Sequence, residues 1–320
     1  MQLPSLDDIQ RASDIVHTVM PPTAQYTWPL LNARAGAEIW VKHENHSPVG
    51  AFKLRGAMVY MDWLKQHHPE VTGVVAATRG NHGQGVALAA ARYGLTATIV
   101  VPLGNSREKN RAMKSLGGEL IEHGSDFQAA LEFAIALANQ RRMHMVPSFH
   151  PLLVHGTGTY AFELLTAVPA LDMIYVPIGL GSSICGVISV RNALGHGAKI
   201  VGVVAEEAPA YALSFREKQA ISHSANSRLA DGLSCRVPVP DALEIMLSYV
   251  DHIVSVSEAE IAAAMRAYYE DTHNIAEGAA AAALAGALKE RKALQGKRVG
   301  VVLTGGNVDR EIFLEALTQA

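Results

Sequence analysis

Lys53 stands in the segment Ala51-Phe52-Lys53-Leu54-Arg55-Gly56-Ala57, an apolar setting with an arginine and a helix-starting glycine close by. A lysine placed there loses hydration, its neutral amine becomes easier to populate, and a neutral amine can attack an aldehyde. The competing reading is a surface lysine on an amphipathic helix, since short motifs match by accident. Three other segments bear on the choice. Pro177-Ile178-Gly179-Leu180-Gly181-Ser182-Ser183 leads into the apolar run Ile184-Cys185-Gly186-Val187-Ile188. Its glycines let backbone approach a phosphate, the helix start offers free N–H donors, and Ser182 and Ser183 add hydroxyls. No six-residue dinucleotide fingerprint and no Walker lysine is present, and a tight strand-to-helix turn without a ligand fits the loop equally well. Thr78-Arg79-Gly80-Asn81-His82-Gly83-Gln84 sets an asparagine and backbone amides before a helix, a combination suited to a phenolate oxygen and a carboxylate. Leu303-Thr304-Gly305-Gly306-Asn307-Val308-Asp309 closes a strongly apolar run.

The elements that must hold these segments follow one rhythm. Val74–Ala77 precedes a helical pattern from about Gly83 to Tyr93, Thr98–Pro102 one from Arg107 to Leu116, and Glu119–Ile121 one from Asp126 to Asn139. Met173–Pro177, Ile200–Val204 and Arg298–Leu303 repeat the strand pattern. Strand, loop, helix, strand predicts parallel sheets covered by helices on both faces, with ligands at the carboxyl ends of the strands. The glycine-rich and polar segments fall at those ends. Residues 216–240 carry the weakest pattern.

The bulk properties set limits. The chain has 320 residues, 49% hydrophobic and 18% charged, and a formal charge of -3, which predicts a large core and gives no footprint for nucleic acid or an anionic membrane. Acids near the start, no apolar signal region, no span of membrane length and only two cysteines, Cys185 and Cys235, predict a soluble cytoplasmic protein.

Together, the lysine segment, the Gly-Asn-His-Gly-Gln turn, the glycine loop and the near-terminal Thr-Gly-Gly-Asn resemble, in order and across nearly the whole chain, the fold type II (tryptophan synthase β-like) pyridoxal-phosphate enzymes. Within them the match is to the threonine/serine dehydratase and serine racemase family. The resemblance implies two three-layer αβα domains with mainly parallel sheets, residues 56–145 forming the small one and 1–55 plus 146–320 the large one, with pyridoxal 5'-phosphate in the cleft between them. It implies that Lys53 holds the cofactor as a Schiff base and acts as the base at Cα. Phe52 would pack on the ring, Asn81 would bond its 3-oxygen, and Thr304 would face the pyridine nitrogen, with Glu277 near the ring. Gly179, Leu180, Gly181, Ser182 and Ser183 would bind the phosphate. Thr78, Arg79, Gly80 and His82, with Ser148 and His150, would meet the substrate. A neutral hydroxyl at position 304 makes the ring a weaker electron sink than a carboxylate partner would, which suits early loss of a β-substituent. The implied activity is dehydration of a β-hydroxy amino acid such as L-threonine or L-serine to a 2-keto acid and ammonia, by a homodimer. Its rivals are a β-replacement synthase and a non-catalytic cofactor-binding protein.

The chain departs from its relatives at several points. Arg79 stands where simple dehydratases have alanine and racemases a serine that serves as acid and base. A guanidinium cannot replace that base, but it can grip a second carboxylate. With His150 and Phe149 it shifts the expected substrate toward 3-hydroxyaspartate or an aryl-serine. Glu206 resembles the first ligand of a divalent cation in some relatives, but Ala212 stands in place of the second, so no metal is expected. His43 and His46 have no third partner and read as structural. The chain stops soon after Thr304, so no regulatory extension and no control by isoleucine is expected.

Overall fold

The computed structural model describes residues 1–318 and contains two sheets. The first part of the chain supplies α1 (Leu6–His17), β1 (Gln25–Thr27), α2 (Pro29–Ala35), β2 (Glu38–His43) and α3 (Lys53–His67). Then come β3 (Gly73–Ala77), α4 (Asn81–Arg92), β4 (Thr96–Val101), α5 (Arg107–Ser115), β5 (Gly118–Glu122), α6 (Phe127–Arg141) and β6 (His144–Met145). The remainder supplies α7 (Pro151–Ala167), β7 (Met173–Pro177), α8 (Ser182–Ala193), β8 (Lys199–Ala205), α9 (Ala210–Glu217) and α10 (Pro240–Tyr249). It ends with β9 (His252–Val256), α11 (Glu258–Thr272), α12 (Gly278–Lys289), β10 (Arg298–Leu303) and α13 (Arg310–Thr318).

Four parallel strands in the order β5-β4-β3-β6 make the smaller sheet, and six in the order β1-β2-β10-β7-β8-β9 make the larger, with only β1 antiparallel to its neighbour. The alternation of side chains along a strand explains the three-layer build. On β3, Val74 and Ala76 enter a core with α3 and α4, while Val75 and Ala77 enter one with α6. On β10, Val299, Val301 and Leu303 face α11 and α12, while Val302 faces α7 and α8. Strands buried on both faces must be apolar at every position, hence the continuous runs seen in the sequence. The fold class predicted from those runs is the one observed. No helix among the described residues is long and apolar enough to cross a membrane.

Helix α3 belongs to both units: it packs against α4 on one side and α7 on the other. The contact with α7 includes an ionic cluster. Arg55, fully buried, donates to Glu44 (2.7 and 3.0 Å) and to Glu163 on α7 (2.6 and 2.9 Å). Lys42 on β2, equally buried, donates to Glu163 at 2.6 Å. Two cations and two carboxylates cancel, and Thr23 and Thr159 take up further hydrogen bonds. Burial alone would raise the Glu163 carboxyl, but Arg55 and Lys42 outweigh it and hold it down to about 2. A carboxyl lowered in this way contributes stability that is complete above its unfolded value near 4.5 and is lost as pH falls through the folded value. Glu163→Gln leaves two buried cations facing one carboxylate. It is expected to lower the unfolding free energy at neutral pH by roughly 3–5 kcal/mol and to flatten the pH dependence below pH 4.5, both read from urea titrations. A loss under about 1 kcal/mol, the range of an exposed pair, would contradict this account of the network.

Candidate active site

Three strand ends of the two sheets converge on one place. β10 runs into Thr304–Asp309, β7 into the glycine loop before α8, and β3 into the turn before α4. The lysine segment is stapled to the first of these by backbone bonds from Phe52 N to Thr304 O (3.0 Å), Gly306 N to Gly50 O (2.9 Å) and an Ala51–Gly305 bridge. Lys53 thus opens α3 beside Thr304. Its ammonium lies 4.8 Å from the Phe52 ring centroid and forms no ion pair among the described residues. Surrounding protein displaces its water and pushes its pKa down to about 8, against a smaller upward pull from Glu277.

Glu277, at the N-cap of α12, is buried, and that burial pushes its carboxyl up to about 7. Its Oε1 accepts from Asn81 Nδ2 at 2.6 Å, and Asn81 Oδ1 accepts from Asn307 Nδ2 at 2.9 Å. Asn81 therefore keeps its second N–H for another acceptor. Its neighbours Thr78 and His82 are buried. His82 is neutral at physiological pH, burial having lowered its pKa to about 3, and its Nε2 has no partner. The Gly80 amide donates to Thr78 Oγ1 at 2.9 Å, whereas those of Arg79, Asn81 and His82 have no acceptor among the described residues.

The loop before α8 is held from behind. Tyr211 Oη donates to Leu180 O (2.9 Å), Tyr160 Oη pairs with Ser183 Oγ (2.6 Å), and Thr157 Oγ1 donates to Ser182 O (2.9 Å). Gly181 adopts φ 106°, and a Cβ there would lie 2.6 Å from Ala242 Cβ, so both conformation and space require glycine. The result is five backbone N–H groups, Gly179 to Ser183, with no acceptor among the described residues, at the positive end of a twelve-residue helix. That is the chemistry of a phosphate cradle. An amine of lowered pKa, a free amide N–H on Asn81 and the Thr304 hydroxyl share the other end of the site. These groups fit a phosphorylated aldehyde with a heteroaromatic ring.

A family model of pyridoxal-phosphate dependent enzymes matches residues 18–305. The chain belongs to that family. Its cofactor is pyridoxal phosphate. Among curated relatives, an L-threonine ammonia-lyase of Thermotoga maritima is 35% identical over 306 residues, 95% of this chain and 76% of that protein. An L-threo-3-hydroxyaspartate ammonia-lyase of Saccharomyces cerevisiae is 34% identical, covering 98% of this chain and 96% of the relative. A solved threonine deaminase isoform from Solanum lycopersicum superposes with a TM-score of 0.89 at 28% identity, covering 99% of this chain and 95% of that one. Several longer biosynthetic threonine dehydratases are 33–35% identical, and the chain spans 55–58% of their length.

Other residues expected at the site lie around it differently. Arg79 is exposed and lines a cavity of about 450 Å³ with Lys109, Arg228, Asp231, Glu277 and Asn307. His150 caps α7, its Nδ1 accepting from Leu152 N at 3.2 Å, and its ring stands edge-on to Tyr60 at 5.1 Å. Burial, with His155 and His144 nearby, lowers its pKa. Ser148 sits partly buried in the bend before α7. Glu206 faces Lys289 (3.4 Å), whose ammonium also donates to Glu260 and Ser255 O. His43 stacks on His46 at 5.0 Å and accepts from Trp28 Nε1. No cluster of three or more His, Cys, Asp or Glu among the described residues is placed to hold a metal. Lys109 and Asp231 were not anticipated; neither sits in a recognisable motif.

Gly181→Ala is expected to weaken pyridoxal-phosphate affinity at least about tenfold, measured by titrating the cofactor-free protein, whose Tm falls as well because the added Cβ meets Ala242. Unchanged affinity would mean that the amides of this loop do not hold the phosphate.

Proposed function

We propose that the protein is an ammonia-lyase of β-hydroxy amino acids, eliminating the β-hydroxyl as water to give an enamine that tautomerises to an imine and is hydrolysed by a second water to a 2-oxo acid and ammonia. The observation that carries this reading is the Lys53 amine, held near pKa 8 between the phosphate cradle and the Asn81–Glu277 pair. At pH 7 about one such amine in ten is neutral, against about one in three thousand for an ordinary lysine. Lys53 would hold the cofactor at its aldehyde, and its amine, when free, would be the base that takes a proton from the substrate's Cα. The cofactor's part is to withdraw electrons from Cα. Unpaired amides of Arg79, Asn81 and His82 are placed to receive the α-carboxylate. Burial keeps His82 neutral, so it adds no competing charge. Lys53 is also the group on hand to return a proton as the β-hydroxyl leaves. The named activities of the relatives, threonine and threo-3-hydroxyaspartate ammonia-lyase, support this reaction class.

Within the class, the finer reading is a substrate with a carboxylate on Cβ. Arg79 forms no ion pair among the described residues and faces the cavity that also touches Glu277 and Asn307. A guanidinium free on that wall would pair bidentately with a second carboxylate. We further take the protein to be a cytoplasmic homodimer divided at residues 56 and 145. Two free, buried cysteines support a reducing compartment, and a four-stranded sheet lying wholly within residues 73–145 supports the division.

The test is turnover of L-threonine, L-serine and L-threo-3-hydroxyaspartate, followed by ammonia and 2-oxo-acid release. Activity is expected with at least one, falling about a thousandfold or more in Lys53→Ala. Ammonia release from none of them, or equal release by the variant, would end the reading. Arg79→Ala is expected to cut kcat/KM for 3-hydroxyaspartate relative to threonine at least about tenfold, the loss of one charge-assisted pair. An unchanged ratio would remove the charge-pairing account and leave the lyase reading standing.

A further inference from the structure

The first turn of α5 crosses from the four-stranded unit to the six-stranded one at three points. Ser106 Oγ donates to Asp309 Oδ1 at 2.5 Å, and Glu108 Oε1 accepts from Arg310 N at 3.3 Å. Lys109 reaches furthest, its ammonium 3.0 Å from Asp231 and 3.7 Å from Glu277 Oε2. Its side chain is 8% exposed, so its charge has been largely taken out of water to make these contacts. The stem runs flush against the turn before α4: a Cβ at Gly80 would lie 2.5 Å from Lys109 Cδ. The lysine is thus threaded between the Asn81 turn and the opposite unit.

At its tip lies the carboxyl that orients Asn81. Glu277 Oε1 takes the Asn81 N–H, while Oε2 is buried with no hydrogen bond. The charged groups facing Glu277 are Lys109 from α5, Lys53 from α3 and Asp231 from the 231–233 turn, with Arg79 on the cavity wall beside it. Asp231 opposes ionisation of Glu277, and Lys53 spends part of its time neutral. Lys109, its pKa raised by Glu277 and Asp231 against its burial, is the cation that stays charged beside it, and it reaches Glu277 from the four-stranded unit.

We infer that Lys109 is a positioning residue that ties the six-stranded unit to the site: its ammonium favours the carboxylate form of Glu277, and that carboxylate helps fix the Asn81 amide with one N–H free for the cofactor. An ionised Glu277 can only accept, so Asn81 must present its NH2 group to it. A protonated Glu277 can donate instead, and the bond from Asn307 Nδ2 to Asn81 Oδ1 is then the one left to orient the amide. The inference rests on the proposed reading of the site, but its primary test does not need turnover.

The ionisation of Glu277 is followed by carbon NMR of side-chain-labelled glutamate in the cofactor-free protein, the resonance being assigned by its absence in Glu277→Gln. Lys109→Met is expected to raise the midpoint by about one pH unit or more, while Lys109→Arg leaves it within about half a unit because charge and reach are kept. Ser106→Ala, which cuts the same crossing without touching Glu277, is the control and should shift the midpoint less than Lys109→Met does. In the holoenzyme, the acid limb of kcat/KM should move upward by a similar amount in Lys109→Met. An unmoved carboxyl midpoint in Lys109→Met, or equal shifts in Ser106→Ala and Lys109→Met, would overturn the inference and reduce Lys109 to a staple. A moved midpoint in a protein that turns over no hydroxy amino acid would keep it and reject the lyase reading instead.

Discussion

Removing a lysine ammonium from water is costly, and this site is arranged around that cost. A lone buried cation would either drive its surroundings apart or lose its proton, and Lys53 is placed to do the second. Its closest charged neighbour, Glu277, is itself a carboxyl that burial pushes toward the neutral form, so it pulls only weakly on the amine. Had an ordinary aspartate stood within contact distance, Lys53 would have been a salt-bridged cation, unreactive toward an aldehyde. Burial drives both groups toward their neutral forms, Lys53 to about 8 and Glu277 to about 7, and the weak attraction left between them keeps the amine usable at neutral pH.

Two residues further along the same helix the opposite choice is made. Arg55 is as buried as any core residue but is met by two carboxylates, and with Lys42 completes a neutral quartet. A guanidinium cannot shed its proton, so burial requires partners. The quartet fastens the first turn of α3 to α7 and to the turn after β2, and so fixes the backbone from which Lys53 projects. Reactive and structural cations are thus adjacent in sequence and separated by the partners the fold brings to each. The glycine loop shows a complementary economy: its outward amides are left without acceptors while Tyr160, Thr157 and Tyr211 hold its other side.

Much of this architecture is legible in the chain. The runs at 74–77, 98–102, 119–121, 173–177, 200–204 and 298–303 all coincide with strands to within a few residues, because parallel strands buried on both faces leave an unbroken apolar signature. β2 escapes that reading: Glu38, Lys42 and His43 break its apolar pattern, and Lys42 is buried only because Glu163, far along the chain, receives it. Helix α7 is also hard to foresee, since Gly156, Thr157, Gly158 and Thr159 are poor helix formers in isolation. Close packing on α3 and α8 decides there. At the site, glycines and the lysine announce themselves by residue type, whereas Lys109, Asp231 and the pairing of Asn81 with Asn307 depend on segments that only the fold brings together. His150 adds a contact that its residue type does not announce: its ring stands against Tyr60 and its Nδ1 caps α7.

The account turns on which amine in the molecule carries the aldehyde. Borohydride reduction of protein loaded with pyridoxal phosphate, then peptide mapping by mass spectrometry, asks that directly. A pyridoxyl group on Lys53 and on no other lysine is the predicted result. Label on a different lysine, or none, would contradict the assignment of Lys53.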